Sequence, residues 1–84
     1  MVFFVLTRKG YDELFAQFGR TPSPLWIAAG VLSDEELEAL REANVSNFSF
    51  SLSPTDSAGI DDAIRTIAQH HPGHKIWVER EGDV

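Results

Sequence analysis

Thr7-Arg8-Lys9-Gly10 is the segment whose residue types and order come nearest to a chemical site. A hydroxyl, two cations and a glycine directly follow the apolar run Val2 to Leu6, and a helix-patterned stretch begins with them. Backbone N–H groups at such a strand–helix junction lack intrahelical partners, and the helix dipole adds positive charge, so the place attracts phosphates and carboxylates. Arg8 and Lys9 oppose that dipole unless something negative neutralises them. The glycine spacing of dinucleotide and Walker fingerprints is absent. Anion binding at Thr7, Arg8, Lys9 and Gly10 is therefore an expectation from charge and position, set against the plainer reading of a solvated helix start.

Three other groups of residues offer chemistry more weakly. His70, His71 and His74 surround Pro72-Gly73, and two imidazoles there have the reach to share a divalent metal. Imidazoles at a helix C-terminus equally well bond the last carbonyls, so no metal site is assigned. Ser46, Ser49, Ser51, Ser53 and Ser57 crowd one stretch, but the Gly-x-Ser-x-Gly elbow does not occur, and alternation along a half-buried strand accounts for polar residues there. No catalytic residue and no cofactor are called for. Asp34, Glu35, Glu36, Glu38 and Glu42 gather on one helix and Asp56, Asp61 and Asp62 at the start of another, which reads as solvated faces or as an acidic docking surface.

Charge narrows the partners further. Seven basic residues stand against thirteen acidic ones, a net charge of −6, and that balance repels phosphate backbones and anionic lipid. Direct nucleic-acid binding and membrane binding are not expected. The longest apolar runs, Met1 to Leu6 and Pro24 to Leu32, fall far short of the ~20 residues that cross a bilayer. Arg8 and Lys9 follow the first run instead of preceding it, unlike an export leader. With no cysteine, disulfides and zinc-thiolate sites are excluded, and a cytoplasmic setting is expected.

The elements that must position these residues alternate regularly. Val2 to Leu6 and Leu25 to Ala29 are continuous apolar runs, the pattern of strands covered on both faces. Val45 to Leu52 alternates Phe48, Phe50 and Leu52 with polar residues, and Lys75 to Arg80 alternates as a half-exposed edge strand. Between them lie three helical stripes: Tyr11, Leu14, Phe15 and Phe18, then Leu37, Leu40 and Ala43, then Ile60, Ala63, Ile64, Ile67 and Ala68. Thr7 is placed to cap the first helix and Gly19 to end it. Ser33-Asp34-Glu35-Glu36 is a capping box opening the second, with Leu32 and Leu37 as a staple and Asn44 as its left-handed end. Asp61 stands four residues ahead of Arg65 on the third helix, and Glu81 to Val84 read as a frayed acidic end.

The predicted fold is one α/β domain over residues 1–84, in the order β-α-β-α-β-α-β, with a mainly parallel four-stranded sheet and three helices. The first two strands belong inside and the last two at the rim, with 2-1-3-4 the most familiar order. The alternative is an α+β arrangement with the last strand antiparallel. Leu25 to Phe50 resembles a generic βαβ unit, a likeness that carries no function. The functional expectation is a small acidic module that binds a protein partner or a second copy of itself, using Trp77, Glu79, Glu35, Glu38 and Glu42. An anion-ligand domain built on residues 7 to 10 is the first alternative, and an acidic decoy of nucleic acid the second.

Overall fold

The computed structural model describes residues 1–40, 44–53 and 55–79. Strands and helices alternate as β1 (Val2–Val5), α1 (Arg8–Phe18), β2 (Leu25–Ile27), α2 (Asp34–Ala39), β3 (Val45–Asn47), α3 (Ser57–His70) and β4 (Ile76–Val78). The fold is α/β, with four strands in the order β3-β2-β1-β4 and every pairing parallel. The last strand is therefore not antiparallel, and the 2-1-3-4 order does not form. As expected, the two continuous apolar strands lie inside, and β3 and β4 form the edges.

Right-handed crossovers put α1 and α2 on one face, while α3, which carries the chain back across the sheet from β3 to β4, covers the other. Side-chain contacts agree. Phe18 of α1 meets Phe3 edge-on with ring centroids 5.4 Å apart, whereas Trp26, aligned with the next residue Phe4, meets His70 at the end of α3 at 5.3 Å. Successive strand residues face opposite ways, so Phe3 and Trp26 mark opposite faces of the sheet. Val2, Phe4, Val5, Leu25 and Ile27 are fully buried between the layers, with Ile60, Ala63 and Ile67 of α3 closing one side.

Local signals hold where the chemistry is local. Thr7 caps α1, its hydroxyl accepting from the Gly10 N–H, and Gly19 ends that helix at φ 70°. Ser33 and Glu36 form the reciprocal capping box. Arg65 pairs with Asp62 one turn before it, at 3.1 Å. Two elements end sooner than their patterns suggest. β3 stops at Asn47, although the Phe48 N–H still donates to the Ile27 carbonyl and the Ala29 N–H to the Phe50 carbonyl; Phe48 and Leu52 turn into the core, while Phe50 is exposed. α2 stops at Ala39 with Leu40 as its cap, so Asn44 does not end it. Ala43, Glu42 and the stretch 80–84 lie outside the described residues.

Candidate functional site

β1 and β4 are neighbours in the sheet but the first and last strands of the chain, and ligands in open α/β sheets bind in the crevice outside the carboxyl ends of such a pair. The segment 7 to 10 lies there. So does Glu79, one residue past β4, whose main-chain N–H donates to the Phe4 carbonyl. Its carboxylate points into the start of α1. Oε1 accepts from the N–H groups of Leu6 and Thr7 at 2.8 and 2.9 Å, and Oε2 accepts from the Thr7 hydroxyl. Gly10 allows this approach: a Cβ there would collide with that carboxylate.

The junction thus attracts an anion as its dipole requires, and the anion is a side chain of the same protein. α1 has no acid in its own first turn, so Glu79 supplies the negative charge from the far end of the chain. Arg8 turns away from this crevice. Its Nη1 meets both oxygens of Glu36 at 2.6 and 2.7 Å, its Nε meets Asp12 at 3.1 Å, and its guanidinium carbon lies 5.4 Å from the centre of the Tyr11 ring. The hydrogen bond to Glu36 is the main cause of a raised Arg8 pKa. Glu36 in turn titrates below its ordinary range, first because the Ser33 N–H donates to it and then because Arg8 does. Arg8 therefore ties the starts of α1 and α2 together, while Lys9 is exposed.

A second feature lies on the same face of the sheet, at the β4 edge. Trp77 aligns with Phe3, their ring centroids 6.3 Å apart, and Phe3 is in turn met by Phe18. Helices α1 and α2 connect strands on the far side of β1, so neither crosses β4 on this face. Trp77 remains 40 % exposed and Phe18 47 %. The helical stripe of α1 that looked uniform is thus divided, with Tyr11 and Leu14 buried but Phe15 and Phe18 half-exposed.

The remaining candidates are dispersed. Glu35 and Glu38 are exposed on α2, beyond β1 from Trp77, and Glu79 is turned inward, so the residues expected to bind a partner do not form one surface. Trp26 covers the sheet under α3, as its apolar run implied, and its indole N–H donates to Nε2 of His71 at 3.2 Å. The His71 and His74 rings meet edge-on at 6.2 Å. Among the described residues no group of three or more His, Cys, Asp or Glu is placed to hold a metal ion. The Ser53 hydroxyl bonds that of Thr55, a turn contact. Glu79 as an internal ligand was missed at the sequence level; the signal for it was a helix that opens on two cations and no acid.

No family model matches this chain, and neither a curated protein nor a solved structure is significantly similar to it. Among the described residues, no helix is long and apolar enough to cross a membrane.

Proposed function

We propose that this domain acts by binding another protein chain along the β4 edge and the aromatic face beside it. The observation that carries this reading is Trp77, which stands 40 % exposed on an edge strand and touches Phe3, itself met by a half-exposed Phe18. Aromatic side chains are enriched at interfaces, and an edge strand offers main-chain donors and acceptors to an incoming chain. The anion-ligand alternative has less support, since a free phosphate at residues 7 to 10 must displace the Glu79 carboxylate from three donors. A nucleic-acid decoy also has less, because Glu36 is paired to Arg8 and Glu79 faces inward. A cytoplasmic setting and the absence of a cofactor belong to this proposal, as a cysteine-free chain relies on no oxidising compartment.

A photo-cross-linking residue placed at position 77, and separately at position 35, tests the reading. An adduct with a protein at 77 that is lost on Phe18→Lys is the expected result. Adducts at 35 alone would move the interaction to the acidic helix, and none at either position would overturn it.

A further inference from the structure

We propose that the chain seated on this edge is a second copy of the same protein, added antiparallel at β4 about a two-fold axis through Trp77. This rests on the reading of the β4 edge as the interaction surface and names its occupant. The main-chain groups decide which residues face outward. The Lys75 carbonyl accepts from Val2 N–H and the Glu79 N–H donates to the Phe4 carbonyl, so residues 75, 77 and 79 bond inward to β1. Ile76 and Val78 then direct their N–H and C=O groups away from the sheet, and among the described residues no strand pairs with that side.

Centring the two-fold axis on Trp77 sets Ile76 opposite Val78 of the second copy, and Val78 opposite its Ile76. Both are hydrogen-bonded pairs, and together they use all four outward groups. Trp77 meets Trp77 at the non-hydrogen-bonded position between them, where opposed side chains come closest and aromatic pairs contribute most. Lys75 falls opposite Glu79 of the second copy, on the same face as Trp77. The central opposed pairs are complementary, two half-buried aliphatic pairs and one aromatic pair, while the Glu79 carboxylate opposite Lys75 stays with the start of α1. That self-complementarity is what a two-fold interface requires.

The acids of α2 do not oppose this docking. They lie over β2 and β3, two to three strand spacings from β4, or roughly 10 to 14 Å, and the same again separates β4 from α2 of the second copy. That exceeds the ~8 Å screening length at physiological salt. Within β4 and its two flanking residues, Lys75 is exposed and the Glu79 carboxylate is held by the start of α1.

Sedimentation equilibrium from about 5 to 500 μM, a span that brackets weak self-association, should show monomer and dimer in exchange. Trp77→Lys sets two cations opposite each other at the axis and should weaken the dimer about tenfold. Ile76→Pro removes an outward N–H that β1 does not use, and should weaken it comparably while retaining the monomer's spectrum. Trp77→Cys, in a chain with no other cysteine, should oxidise to a covalent dimer, whereas Lys75→Cys, facing Glu79 and not itself, should not. A strict monomer throughout, a dimer indifferent to both edge substitutions, or equal cross-linking at 75 and 77 would overturn the proposal. If the protein is monomeric yet the photo-cross-linker at 77 joins it to a different chain, only the second copy is refuted; if 77 joins nothing, the interaction reading falls with it.

Discussion

The carboxylate of Glu79 lies against the bare Cα of Gly10, so the last strand and the first helix, from opposite ends of the chain, are fastened at one point. Three donors converge on that carboxylate. Hydrogen bonds to a charged acceptor contribute about 1.5 to 3 kcal/mol each in favourable cases, but Glu79 is partly solvated and the three are not additive. Glu79→Ala should therefore cost about 2 to 4 kcal/mol in urea unfolding. Glu79→Gln, which keeps one acceptor oxygen for the two N–H groups, should recover part of that.

Gly10→Ala separates the glycine's two effects. In an ordinary helix the change stabilises by about 0.4 to 1 kcal/mol, through helix propensity and a less flexible unfolded chain. Here the added methyl group displaces the Glu79 carboxylate, and the net effect should be destabilising. Combined with Glu79→Ala the same substitution should become stabilising. A double-mutant cycle that shows the same sign for Gly10→Ala in both backgrounds would refute the contact.

The α1–α2 clasp has a pH signature. Glu36 titrates below its usual value of 4.5 in the folded protein, because the Ser33 N–H and Arg8 both favour its charged form. A group whose folded pKa is depressed adds stability that is fully present above the unfolded pKa and is lost as pH falls through the folded one. Urea midpoints should therefore hold above about pH 5 and decline below 4.5, with Glu36→Gln flattening that decline. Identical acid limbs in the two proteins would exclude the assignment.

Part of this architecture is visible in the residues themselves. The capping box at Ser33, the Thr7 cap and the Gly19 terminator depend on atoms within one helical turn, so pattern alone identifies them. Strand order is another matter: 2-1-3-4 and 3-2-1-4 both satisfy right-handed crossovers, and they differ in which helix carries the chain back over β1 on the opposite face, α2 in the first and α3 in the second. The need for an anion at Thr7-Arg8-Lys9-Gly10 could be read from two cations at a helix start, but not that Glu79 meets it, since that requires β4 beside β1.

The same limit divides the stripe on α1. Tyr11, Leu14, Phe15 and Phe18 share one helical face, yet no helix crosses β4 beside it on this side of the sheet, and only the first two are buried. Leu14→Ala should cost about 2 to 4 kcal/mol, as a core truncation does, and Phe15→Ala less than about 1. Thermal and urea unfolding of the two variants decides this, and a larger loss at Phe15 would mean that the helix is rotated from its position here.

On the other face of the sheet, Trp26 and His71 join β2 to the end of α3. The indole N–H donates to Nε2 of His71, so this nitrogen must carry a lone pair and a neutral ring holds its proton on Nδ1. His71→Ala leaves the Trp26 donor to water, at the edge of a ring that is otherwise buried, and should cost about 1 kcal/mol. Trp26 fluorescence should also shift to the red, since water takes the place of the imidazole. His71→Gln, whose side-chain oxygen can accept the same proton, should restore the emission. A red shift in both variants would mean that His71 acts by covering the indole and not by accepting from it.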